Sequence, residues 1–200
     1  MATTREGFLA RLDGLLHGGS VPVAVVATDL DGFAGLNERH GREAGDRVIA
    51  AWRAALVDNL PGDAEVVRLG GDEFGVILPG QSAETALIVL DEIRGHFAAH
   101  PAPDTGGATT ASVGVAANPP HGTTAEDLWR AAGAALMRAK RAGRDQIALY
   151  VEEKMVLKSN YYSRAALDRL TKLAGATGRT EASLLREALD DLVDKHGHRL

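Results

Sequence analysis

Arg68-Leu69-Gly70-Gly71-Asp72-Glu73-Phe74-Gly75-Val76-Ile77-Leu78 is the stretch on which the reading of this chain turns. Two β-type runs, residues 65–69 and 74–78, flank a Gly-Gly-Asp-Glu break, and this pattern predicts a tight hairpin. Adjacent glycines allow φ > 0 and let a phosphate approach the main chain. The two residues that follow are carboxylates on the lip of the turn. One acid is ample for a hairpin; a pair beside bare backbone suits a hydrated Mg²⁺ carrying a nucleotide phosphate. A second acidic turn lies upstream. The apolar run at residues 21–28 ends in Asp29-Leu30-Asp31-Gly32-Phe33. Two strand ends bearing carboxylates can meet across one sheet edge and share a metal ion.

The 200 residues suffice for one domain of about 150 residues and a small module. Hydrophobic residues make up 45% of the chain and aromatics 4%, so the core is expected to be built from Ala, Val and Leu. The absence of Cys excludes disulfides and thiolate–metal sites. No apolar run reaches membrane-spanning length and no signal peptide is recognised, so a cytoplasmic protein without a membrane partner is expected. Charge is uneven. Residues 1–151 hold 13 Lys/Arg and 19 Asp/Glu, net −6, whereas residues 152–200 hold 9 and 8, net +1. Residues 154–179 carry six basic side chains against the single acid Asp168, which marks a second module with one basic surface.

Hydrophobic periodicity predicts helices at residues 5–16, 44–60, 82–99 and 123–142, with one helical turn at 35–40. Ser82 and Thr124 are the expected helix openers. Strands are predicted at 21–28, 108–116 and 146–151 besides the hairpin. The continuous apolar character of 21–28 makes it a central strand. A hairpin forces antiparallel pairing and crossover helices give parallel neighbours. The fold class is therefore α+β: a mixed, mainly antiparallel sheet flanked by helices, of the split βαβ kind.

The motifs Asp29-Leu30-Asp31-Gly32-Phe33, Asn37, Gly45-Asp46, Arg68 through Phe74, Ser112-Val113-Gly114-Val115-Ala116 and Ala139-Lys140-Arg141-Ala142-Gly143-Arg144 follow one another in order. They resemble the GGDEF family, the diguanylate cyclases, over roughly residues 5–150. The resemblance implies condensation of two GTP into cyclic di-GMP at a site formed between two protomers. It implies Mg²⁺ (or Mn²⁺) held by Asp29, Asp72 and the Leu30 carbonyl. Asp72 or Glu73 would take the proton of the attacking hydroxyl, the family position favouring Asp72. Gly70 and Gly71 would leave room for the phosphates, and Phe33 belongs to the same nucleotide-binding set. Lys140 and Arg144, expected one helical turn apart, would reach the triphosphate. Asn37 and Asp46 would read guanine, whose N1–H and 2-amino group a carboxylate accepts and adenine cannot match. Taken singly, Asn37 is also a helix cap, Asp46 an exposed acid and the Lys140–Arg144 pair a solvated helix end.

The chain departs from the family pattern in places. The arginine that usually closes a longer opening segment corresponds to Arg5. Ala34 stands where a Lys is common and Glu38 where an Asp is common. Gly133 and Met137 replace the usual Asp and Tyr of the last helix. Pro61 and Ala64 occupy the positions of the product-inhibition motif, so no feedback through that site is expected.

Residues 154–197 resemble a ribbon-helix-helix module: a strand at 154–162, a helix at 163–176 with Leu167, Leu170 and Leu173 inward, a turn at 177–180, and a helix at 181–195 with Leu184, Leu185, Ala188, Leu189 and Leu192 inward. The domain division expected is 1–151 and 152–200. About 44 residues cannot close a core alone, so the module is expected to pair with a second copy and make the protein a homodimer. In that family the ribbon enters the DNA major groove. Lys158 and Asn160 on the ribbon and Thr180 at a helix N-terminus are the candidate DNA contacts. A module this weakly basic also suits a dimer tether alone, which would raise the effective concentration of facing cyclase sites. Two functions from different classes follow: a dimeric diguanylate cyclase, and a nucleotide-sensing domain without turnover that controls a DNA binder.

Overall fold

In the computed structural model, which describes residues 4–19, 21–103, 105–152 and 161–196, the chain divides into two compact units, Met1–Glu153 and Lys154–Leu200. In the first, the apolar run that follows Pro22 is the central strand β1 (Val23–Leu30) of a five-stranded sheet. The other strands are β2 (Glu65–Gly70), β3 (Glu73–Pro79), β4 (Ala111–Asn118) and β5 (Ile147–Leu149), in the order β2-β3-β1-β4-β5. β1 pairs antiparallel with both β3 and β4, β2 pairs antiparallel with β3, and β5 lies parallel to β4. The mixed, mainly antiparallel sheet expected from the sequence is the one observed.

Side chains of β1 alternate between two cores. Ala24, Val26 and Leu30 pack on one face with α3 (Arg42–Asn59) and α4 (Ala83–Ala99). Val23, Val25 and Ala27 pack on the other with α1 (Arg5–His17) and α5 (Ala125–Arg141). A strand buried on both faces has no polar face to show, which explains its unbroken apolar sequence. α5 packs against the bare backbone of the sheet at Gly114, where a Cβ would come within 2.1 Å of the Leu136 amide nitrogen. Ser82 and Thr124 cap α4 and α5 as expected, accepting from the amides of Thr85 and Asp127.

Element boundaries differ from the sequence reading in physically simple ways. β1 begins at Val23, not residue 21, because Pro22 has no N–H to give a ladder. The expected helical turn after Phe33 is a full helix, α2 (Phe33–His40), entered through Gly32 at φ 66°. The hairpin turn is Gly71-Asp72, since Gly70 still pairs with Glu73 across a bulge after Arg68. Only Gly71 of the glycine pair uses positive φ, at 27°.

The second unit contains α6 (Arg164–Thr177), capped by Ser163, and α7 (Glu181–His196). The helices meet through a hydrogen bond from the Thr171 hydroxyl to Glu181. The expectation of inward leucines is not met within one chain. Leu170 and Leu184 are half-buried, but Leu167, Leu173, Leu185, Leu189 and Leu192 are exposed, and Ala174 is the one buried residue described in α6. Two helices cannot enclose a core. The expected ribbon strand, with Lys158 and Asn160, lies outside the described residues apart from its last two positions.

Candidate active site

The register of the sheet brings the two acidic turns together. Asp29, near the end of β1, is the Cα partner of Glu73 at the start of β3, and Asp72 precedes Glu73 in the turn. Asp29 is largely buried, with its side chain 19% exposed, and forms an ion pair with Lys140 at 2.7 Å. Burial raises the Asp29 carboxyl above the usual carboxylate range against the pull of Lys140, and the charges of Asp72 and Asp31 raise it further. The two carboxylates named by the sequence therefore share one edge and feel one another.

The hairpin beside them is bare. A Cβ placed on Gly70 or Gly71 would meet nothing within 4 Å. Arg68 steadies the turn by donating its Nε–H to the Gly71 carbonyl at 2.8 Å. Glu73 is exposed and Asp72 half-buried. Leu30 is buried, its side chain packed in the core between the sheet and α3. Among the described residues no cluster of three or more His, Asp and Glu side chains is suited to a metal ion. Asp29 and Asp72, with the Leu30 carbonyl expected beside them, would offer oxygen donors only. That set fits a hard cation that keeps water and takes its remaining ligands from substrate phosphates.

A second cluster lies where α2 meets α3. Asn37 packs against Gly45 so closely that a Cβ there would sit 2.0 Å from its Oδ1, with the Phe33 ring 3.0 Å away. The Oδ1 atom of Asn37 is buried and accepts no hydrogen bond. An orphaned buried acceptor is costly unless a ligand supplies the donor. Asp46, one residue past Gly45, is exposed on α3. The reading of Asn37 as a cap is not borne out, because it sits inside α2.

Lys140 and Arg144 are not one helical turn apart. α5 ends at Arg141, Gly143 takes φ 121°, and Arg144 and Asp145 follow at φ 64° and 49°. Lys140 stays on the helix against Asp29, while Arg144 projects from the turn into β5, exposed and without an ion pair among the described residues. Thr180 accepts from the Ser183 amide at 3.2 Å and so opens α7 as expected.

Sequence reasoning assigned no role to Asp31. Its carboxylate accepts from three protein donors: Ser112 Oγ at 2.7 Å, Thr110 Oγ1 at 2.8 Å and the Asp145 amide at 2.9 Å. It ties the end of β1 to β4 and to the turn before β5. Held by these donors, Asp31 acts as a fastener between strands.

Residues 4–146 match the family model described as diguanylate cyclase, GGDEF domain. The chain belongs to the GGDEF family. An uncharacterized protein of Mycobacterium tuberculosis is 36% identical over 158 residues, which is 76% of this chain and 25% of that one. A diguanylate cyclase of Vibrio cholerae is 30% identical over 130 residues, 64% of this chain and 40% of that one. The chain thus spans a quarter to two-fifths of the length of these curated relatives. Among solved structures, the GGDEF domain of DgcB from Caulobacter crescentus in complex with c-di-GMP superposes with a TM-score of 0.68. Its sequence identity is 27%, and the match covers 74% of this chain and 89% of that one. These likenesses establish the GGDEF fold of the first unit. No helix of the described residues is long and apolar enough to cross a membrane.

Proposed function

We propose that this protein is a diguanylate cyclase that joins two GTP into cyclic di-GMP and releases two pyrophosphates. The observation that carries this reading is the meeting of Asp29, Asp72 and Lys140 at the open Gly70-Gly71 hairpin. Asp29, Asp72 and the Leu30 carbonyl would hold Mg²⁺ (or Mn²⁺). A divalent cation there supplies neutralisation of phosphate charge and a lower pKa for the attacking hydroxyl. The 3′-oxygen of one GTP bonds to the α-phosphorus of the other as the bond to the β-phosphate bridging oxygen breaks. The hydroxyl proton passes to the hairpin carboxylates, Asp72 or Glu73. Lys140 and Arg144 hold the triphosphate, Gly70 and Gly71 leave it space, and Phe33, Asn37 and Asp46 seat the guanine. The orphaned Asn37 acceptor supports that last role. Purified protein incubated with GTP and Mg²⁺ is expected to form cyclic di-GMP, and Asp72→Ala to reduce turnover at least about 10³-fold. Turnover that survives this substitution removes the reading.

The exposed leucines of α6 and α7 favour a second element of function. Residues 152–200 form a ribbon-helix-helix module that pairs with a second copy and so supplies the two protomers that a half-site cyclase needs. DNA contact through Lys158, Asn160 and Thr180 belongs to the same reading. Salt-dependent retention on DNA is its check; a protein without turnover but with GTP-sensitive retention would instead be a nucleotide-sensing regulator.

A further inference from the structure

Arg144 and Asp145 are consecutive non-glycine residues with positive φ, 64° and 49°. Such backbone conformations are strained and persist only where neighbours over-determine them. The neighbour that does so stands on α4, which carries none of the residues assigned to the site. Arg94, with its side chain 17% exposed, donates Nη1 to the Asp145 carbonyl at 2.8 Å and pairs with the Asp145 carboxylate. Its Nη2 donates to Asp91 one turn earlier at 2.8 Å, which fixes the guanidinium in place. The Asp145 amide continues the chain of contacts to Asp31 at 2.9 Å, and Asp31 lies two residues beyond Asp29. One guanidinium thus clamps both the carbonyl and the side chain of the residue that follows Arg144.

We propose that Arg94 is a positioning residue for nucleotide binding: through Asp145 it holds the turn that aims Arg144 at the triphosphate. The inference rests on the cyclase reading for the role of Arg144 and goes beyond it in naming a residue on a helix outside the site. Arg94 acts without touching substrate. A planar fork serves two acceptors at once, which a lysine ammonium on a flexible stem does poorly.

The test is GTP affinity by titration calorimetry with Ca²⁺ in place of Mg²⁺, together with kcat and KM under Mg²⁺. Arg94→Ala is expected to weaken GTP binding and raise KM about tenfold, the scale of one lost charge-assisted contact, with a smaller change in kcat. Arg144→Ala should do the same, and the double variant should be no worse than either alone. Arg94→Lys, which keeps charge and bulk for folding, should lie between wild type and Arg94→Ala. A wild-type protein that binds no GTP overturns the cyclase reading and this inference together. Wild-type binding with Arg94→Ala unchanged overturns the inference alone. Additive losses in the double variant do so as well, because they would show Arg94 acting through general stability. Should Arg94→Ala not fold, an Arg94→Lys protein with wild-type affinity is the overturning result.

Discussion

Leucines on two helices of this chain meet opposite surroundings. Leu90 on α4 is fully buried between helix and sheet, whereas Leu189 on α7 is 61% exposed. Both helices are amphipathic by sequence, so the pattern alone does not distinguish them. What differs is the supply of partners. The first unit has a sheet with two faces and helices to cover each, so every apolar stripe finds a surface. Among the described residues the second unit has two helices, which cannot enclose a core between them. An apolar face is therefore evidence of a core only where the fold provides the other wall; elsewhere it is a request for one.

Three substitutions sharpen that contrast. Leu90→Ala should have the largest effect, lowering stability by about 3 kcal/mol in a denaturant titration that follows the first unit. Equal stability would mean that the helix–sheet core is looser than described. Leu189→Asp should leave that transition almost unmoved and instead lower the molar mass measured in solution toward one chain. Cyclase activity should then fall at low protein concentration and recover as concentration rises. A variant that stays dimeric would place the pairing surface elsewhere. The smallest effect concerns pH. Burial, with Asp72 and Asp31, raises the Asp29 carboxyl above its ordinary value, Lys140 opposing. Such a group binds its proton more tightly folded than unfolded. The metal-free protein should therefore lose stability as pH rises from the ordinary aspartate value through the raised one. Asp29→Asn should flatten that slope in melting temperature against pH; an unchanged slope would assign it to another group.

The sheet class, the central strand and the hairpin were legible because each is written in local pattern: an unbroken apolar run, or two β-type runs around Gly-Gly-Asp-Glu. The helix caps Ser82 and Thr124 were legible for the same reason. The candidate site was legible in its residue names, since the family's motifs are short and ordered. Its wiring was not. The helix end expected at residue 142 was close to the observed end at Arg141, but the spacing of one helical turn expected for Lys140 and Arg144 ran past that end, and the turn at Gly143 parts them. Asp31 had no role in the sequence reading, and only the arrival of Thr110, Ser112 and Asp145 made it a tie between strands.

Read by itself, the amino-acid order of this protein determined which segments are strand or helix, which acids stand at the turns, and to which family the first unit belongs. Tertiary structure decided that Asp29 faces Lys140, that Asn37 keeps a buried acceptor free, that Arg94 reaches the turn beside Arg144, and that the leucines of α7 lack a cover. Periodicity and turn chemistry act over a few residues and survive in any linear reading. Convergence depends on strand register and helix docking between segments up to about a hundred residues apart, and no local pattern carries that.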